Sequence, residues 1–193
     1  MAYGTAHLRR AALALAAAAL AGCGTAGHSA APNAAELAAD LKGSPPALAA
    51  LHAQAGSLLA GGVPAFTARL RALRGYPIVV TQWSSWCDGC EADLAYFRTL
   101  SASLGRRVAF VGVDVDADGT AGAARSLLRK VPVSFPSYRD ADRRIAAAVS
   151  ATWSRYTPVT FFYRPGDPTP ESFAGPFLGV HSLRAAIRRY AGV

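Results

Sequence analysis

Val79-Val80-Thr81-Gln82-Trp83-Ser84-Ser85-Trp86-Cys87-Asp88-Gly89-Cys90 decides the reading of this chain. A β-rich run ends in a Cys-x-x-Cys pair, and a helix-compatible segment follows at once. That order places two thiols at the N-terminal end of a helix, where backbone N–H groups and the helix dipole favour a thiolate. Thiol–disulfide exchange needs an attacking thiolate and a second thiol that reaches the mixed disulfide. A spacing of two residues permits that reach. Half of a zinc site has the same spacing, so the rest of the chain must decide.

The chain has three cysteines, Cys23, Cys87 and Cys90. No second pair completes a four-cysteine zinc site, and none of His7, His28, His52 and His181 stands at a zinc-like spacing to the pair. A purely structural disulfide is disfavoured too, because so short a loop constrains little of the unfolded chain. The expectation is a redox-active Cys87–Cys90 disulfide, with no metal and no other cofactor. Cys87 attacks and Cys90 resolves.

The N-terminus bears on location. His7-Leu8-Arg9-Arg10 is basic, and Ala11 to Ala21 is an apolar run of Ala and Leu. That run is too short for a permanent span but fits a secretory signal. Leu20-Ala21-Gly22-Cys23 resembles the bacterial lipobox, which implies cleavage before Cys23 and lipid on its sulfur. The expected organisation is a signal peptide over 1–22, a lipid-anchored tether over 23–45, a helical extension over 46–62 and one domain over 63–193. The expected location is the extracytoplasmic face of the cell membrane. A secreted form without lipid is the competing reading.

The final 130 or so residues suffice for one core and not for two. Lys and Arg number 20 against 12 Asp and Glu, a formal charge of +8. The arginines are spread over separate segments, so attraction to an anionic membrane is reasonable on charge alone. No basic helix with interleaved aromatics occurs, which argues against a nucleic-acid partner.

Apolar spacing predicts a helix over Pro46 to Ala60, which either caps the domain or forms a loose stalk. A helix starting at Pro64 puts Phe66, Leu70 and Leu73 on one face. Ile78 to Trp83 reads as a buried strand, and the helix after the cysteines places Leu94, Phe97 and Leu100 inward. Val108 to Val113 is the next strand. A helix over Ala117 to Lys130 is expected, capped by Asp116 or Asp118. A short extended piece covers Val133 to Tyr138, and Arg144 to Trp153 is helical. Val159 to Tyr163 is a strand, Ser172 to Ala174 an edge strand, and His181 opens a last helix to Tyr190. Continuous apolar strands between helices argue for a layered α/β sheet.

The domain resembles the thioredoxin-like fold, a central mixed β-sheet flanked by helices. Within that fold it resembles the TlpA/ResA-type membrane-tethered thiol–disulfide oxidoreductases. Two motifs carry the likeness: the Val79–Cys90 stretch, and Tyr156-Thr157-Pro158-Val159-Thr160-Phe161-Phe162, which matches the family's cis-proline before a buried strand. The resemblance implies that Pro158 is cis and faces the dithiol, that Thr157 and Trp86 contact substrate, and that Asp93 relays a proton. It implies exported proteins with thiols or disulfides as substrates, apocytochrome c among them, and a membrane redox partner. This chain departs from the pattern at Asp88-Gly89, at Thr81 and at Ala95, where the family has a proline-containing motif, a more polar buried residue and a kinking proline. Asp93 stands where the reductive members have Glu. The acids Asp88 and Glu91 beside the pair disfavour a thiolate, so the expected direction is reduction of substrate.

Two other functions compete. A thiol peroxidase would match Pro-x-x-x-Ser-x-x-Cys; Ser84 fits, but Val80 stands at the proline position. The other is a non-enzymatic lipoprotein that binds a metal or a partner. Asp114-Val115-Asp116-Ala117-Asp118-Gly119 copies half a calcium loop, but Arg125 stands where the bidentate carboxylate is needed.

Overall fold

The structure, a computed structural model, describes Met1, Ala2 and residues 34–193. Residues 3–33, which hold nearly all of the expected signal peptide, Cys23 and the first part of the expected tether, lie outside the described residues. Two short helices come first, α1 (Ala34–Asp40) and α2 (Pro46–His52), then strand β1 (Leu58–Leu59) and helix α3 (Gly62–Ala72). Next come β2 (Ile78–Trp83), α4 (Asp88–Leu104), β3 (Ala109–Asp114), α5 (Ala121–Lys130) and β4 (Ser137–Arg139). Helix α6 (Arg144–Val149), strands β5 (Val159–Tyr163) and β6 (Glu171–Ala174) and helix α7 (Val180–Ala186) follow. The last helix closes on a π-turn over Ile187–Ala191.

The strands form one sheet in the order β1-β4-β3-β2-β5-β6. β1, β4, β3 and β2 run parallel, β5 runs antiparallel to β2, and β6, antiparallel to β5, runs in the direction of the first four. Every residue of β2, β3 and β5 is buried, as expected where helices cover both faces. The period of two sorts their side chains. Val79 and Trp83 join Phe97, Phe110, Phe135 and Phe162 on the α4 side. Ile78 and Val80 join Phe66, Val111 and Phe161 on the other.

Gly112 is the one place where the sheet needs a missing side chain. The Trp83 indole crosses β3 there and donates to Ser137 Oγ at 3.0 Å. A Cβ on Gly112 would stand 2.9 Å from that indole nitrogen.

Three expected elements shift. The helix from Pro46 stops at His52, and Leu58–Leu59 pair with β4 instead of extending it. Leu48 and Leu51 are fully buried against the Phe66 side of the core, so α2 packs on the domain as a cap. His52 adds contacts to the carbonyls of Ser134 and Gly105. α5 starts at Ala121 behind Thr120, not at Ala117; Asp116, one of the two expected caps, is engaged elsewhere, and Asp118 lies exposed in the turn before the helix. Asp114 bonds Arg139 at 2.6 Å and the Asp116 N–H, while Asp116 accepts from the Ser85 N–H. α6 ends at Val149, and its start is held by Asp140, which accepts from the N–H groups of Ile145 and Ala146 at 2.8 Å.

Candidate active site

β2 delivers the dithiol to the edge of the sheet, and α4 begins there. Cys87 is extended (φ −103°, ψ 107°), caps α4, and its Sγ accepts from the Cys90 N–H at 3.1 Å. Asp88 and Glu91 lie in the first turn. Cys87 and Cys90 are joined by a disulfide. Cys87 is half-buried, whereas Cys90 has no exposed surface. An incoming thiol therefore meets Cys87 first.

The Thr157–Pro158 bond is cis. Pro158 lies just before β5 and across from the dithiol loop. A Cβ added to Gly89 would stand 3.9 Å from Pro158 Cδ and 3.2 Å from Pro176. Gly89 is thus packed between the two prolines, and that is what the glycine at this departure from the family pattern permits. Thr157 precedes the β5 ladder, and its Oγ1 is buried with no partner among the described residues.

The segment leading to Thr157 is held by a residue that sequence reasoning passed over. Gln82, fully buried on β2, donates to the carbonyls of Ser154 and Tyr156. Arg143 donates to the same Ser154 carbonyl at 2.9 Å. A polar residue amid an apolar strand was the available signal, since a buried amide must find partners.

Asp93 lies one turn beyond Cys90 and is only 1 % exposed. Its Oδ1 accepts from the Phe177 N–H at 2.9 Å, and Oδ2 has no partner among the described residues. Burial pushes its carboxyl up to about 7, against the opposing pull of the Phe177 bond. Burial also pushes Asp114 up, while Arg139 and the Asp116 N–H pull the other way.

Beside the acids of the first α4 turn, two aromatics stand exposed near the disulfide. Trp86 is 63 % exposed and Tyr156, which packs edge-on to Trp153, is 57 % exposed. Beyond Pro176, an open pocket of about 330 Å³ is lined by Phe173, Phe177, Leu178 and Tyr190. Trp83, by contrast, is core. Among the described residues no group of three or more His, Cys, Asp or Glu side chains gathers at metal-binding distance, and no helix is long and apolar enough to cross a membrane.

A mixed sheet with a dithiol at a helix start and a cis-proline opposite defines the thioredoxin-like class. The AhpC/TSA family matches residues 63–167, more than half of the chain, and the chain belongs to that family. A curated relative, the soluble secreted antigen MPT53 of Mycobacterium tuberculosis, is 34 % identical over 92 residues, 48 % of this chain and 50 % of its own length. The thiol-disulfide oxidoreductase ResA of Oceanobacillus iheyensis is 25 % identical over 109 residues, 56 % of this chain and 55 % of its own. The chain spans about half the length of the curated relatives it matches. Among solved structures, a secreted Mycobacterium tuberculosis disulfide oxidoreductase homologous to E. coli DsbE superposes with a TM-score of 0.53 at 28 % identity, over 62 % of this chain and 85 % of that one.

Proposed function

We propose that the chain is a thiol–disulfide oxidoreductase of the TlpA/ResA type that reduces disulfides in exported proteins. The observation that supports this most directly is the disulfide between a half-exposed Cys87 and a fully buried Cys90 at the start of α4. In the reduced protein the Cys87 thiolate attacks a substrate disulfide, forms a mixed disulfide and releases one substrate thiolate. Cys90 then loses its proton and attacks Cys87 Sγ. The second substrate thiol leaves, and the Cys87–Cys90 disulfide of this structure is the product. Two electrons have passed to the substrate, and a membrane redox partner must return them.

Asp93, buried one turn beyond Cys90 on α4, takes the Cys90 proton in this scheme. A carboxyl held near 7 accepts and returns a proton close to neutral pH. Trp86 and the backbone of Thr157 form the substrate lip, with Pro158 keeping Thr157 clear of the β5 ladder for pairing with an extended chain. Apocytochrome c fits as one such substrate, since it presents cysteines in an unfolded segment. Cys23 carries lipid and tethers the domain, over residues 63–193, to the outer face of the cell membrane through residues 23–45, after removal of 1–22.

The test is reduction of insulin disulfides at the expense of dithiothreitol. The parent accelerates it and Cys87→Ser does not. Turnover of peroxide faster than of disulfide would replace this reading with a peroxidase. Mass spectrometry of the native N-terminus decides the anchor: an unmodified Cys23 leaves a secreted form without lipid.

A further inference from the structure

The two ends of the sheet carry opposite charge. β2 and β3 both run toward the disulfide. Residues preceding them therefore mark the far end, about 17 Å away along five strand steps. Arg71 and Arg74 precede β2, and Arg106 and Arg107 precede β3. Arg164 follows β5, whose Tyr163 pairs with Ile78 at the start of β2. Arg189 belongs with it, since its carbonyl accepts from Arg164 Nη2 at 2.8 Å. Arg184 and Arg188 share a shallow pocket with Arg107. Arg71, Arg74 and Arg164 share another, of about 220 Å³, beside Ile78 and Tyr163. Seven of these eight arginines are exposed, and Arg184 is half-buried.

The disulfide end holds the acids. Asp88, Glu91 and Asp93 lie on α4, and Asp114, Asp116 and Asp118 close β3. Asp140 and Asp142 follow β4. Of the cations at that end, Lys130 pairs with Glu91, Arg139 with Asp114 and Arg144 with Asp142, while Arg143 donates to the Ser154 carbonyl and Arg155 is exposed, so the acids still outnumber them. At the far end, by contrast, none of the eight arginines enters a salt bridge among the described residues. Asp167 shares the pocket of Arg71, Glu171 on β6 pairs with Phe162, and Asp40 ends α1 just before Leu41, which borders Gly105. Against eight arginines, these three acids leave the end positive.

We propose that this arginine end is a docking surface for a bilayer rich in anionic phospholipid, and that docking turns the disulfide away from the membrane. Guanidinium groups bind phosphate oxygens in a bidentate fork. Here they come from α3, from three loops and from the last helix, spread around one end of the domain. That layout suits a field of headgroups. A nucleic-acid groove is read by one inserted helix or ribbon, which this end does not offer. The proposal rests on the extracytoplasmic membrane location proposed above, and it adds a protein surface to the lipid tether. An acyl anchor gains firm hold from a basic patch.

Residues 23–193, the mature chain proposed above, carrying Cys23→Ser, which takes no lipid, are sedimented with vesicles of phosphatidylcholine with and without phosphatidylglycerol. At about 0.15 M salt it binds only the anionic vesicles, and about 1 M salt releases it. R71Q/R74Q/R164Q weakens binding on the order of 100-fold. R125Q/R129Q, on α5, weakens it far less. Disulfide exchange in solution is unchanged in the three-arginine variant, so a lost membrane hold is seen apart from a lost redox activity. Equal binding to neutral vesicles, equal loss in both variants, or a preference for duplex DNA over anionic vesicles overturns the proposal. Orientation is read from dithiothreitol reduction of Cys87–Cys90. The rate is the same on and off vesicles, and a tenfold slowing on vesicles overturns the outward orientation.

Discussion

Asp93 Oδ1 accepts the Phe177 backbone N–H at 2.9 Å, and this one bond fastens the dithiol helix to the loop that forms the apolar pocket. The bond joins residues 84 positions apart in a fully buried place. A change of charge on Asp93 therefore bears on both the thiols and the substrate surface.

Asp93→Asn raises stability at neutral pH. In the unfolded chain the carboxyl ionises near 3.8, and in the fold near 7. Below pH 4 both states hold the proton and nothing is lost. Between the two values only the unfolded chain ionises, so stability falls as pH rises. Above 7 the full cost is present, about 4 kcal/mol at most. Asn keeps the Phe177 bond without that cost. Urea unfolding of the oxidised proteins checks this: the variant's advantage is small at pH 4 and grows to a plateau above pH 7. The same variant slows exchange at neutral pH by at least tenfold if Asp93 moves the Cys90 proton. An unchanged pH–rate profile leaves Asp93 a structural acid only.

Cys90→Ala traps substrate on Cys87. Cys90 is fully buried and Cys87 is not, so external attack is confined to Cys87. Non-reducing gels of the variant with unfolded, disulfide-bearing protein show a mixed disulfide that dithiothreitol releases. Cys87→Ala shows none. Adducts on Cys90 in the absence of Cys87 reverse the assignment.

Much of this was legible before the structure. Val79 to Cys90 and Thr157-Pro158 read directly as strand, helix start and proline turn, because their chemistry is local. Leu58 and Leu59 did not, because a two-residue edge strand is made by its partners Ser137 and Tyr138 and carries no periodicity of its own. Asp116 was misassigned as a helix cap for a related reason: it answers to Ser85, 31 residues back. Gln82 was passed over because its partners lie beyond residue 150.

Gly112→Ala destabilises the fold by about 1–3 kcal/mol, the cost of overpacking a filled core. The added Cβ meets the Trp83 indole at 2.9 Å and the Ser137 Cβ at the same distance. Both partners are buried, Trp83 at 1 % and Ser137 at 0 % exposure. Thermal unfolding reads the loss. An unshifted midpoint means that Trp83 rotates away without penalty.

Asp88→Asn makes the pair more oxidising. Asp88 is exposed in the first turn of α4, next to the sulfur that must carry charge in the reduced form. Glu91, the other acid of that turn, is matched by Lys130 at 2.5 Å, so Asp88 is the uncompensated charge there. A negative neighbour disfavours the Cys87 thiolate, and a less stable thiolate means a less stable dithiol. The disulfide is then favoured and the reduction potential is lower. The helix N-terminus acts in the opposite sense. The balance places the parent nearer the roughly −270 mV of thioredoxin than the roughly −120 mV of a strong oxidant. Removing the Asp88 charge raises the potential by about 10–30 mV, the lower part reflecting solvent screening of an exposed acid. Equilibration with glutathione, read by mass spectrometry of alkylated thiols, measures both proteins. A parent potential above about −180 mV makes the chain an oxidant or isomerase, with an oxidising partner at the membrane in place of a reductant.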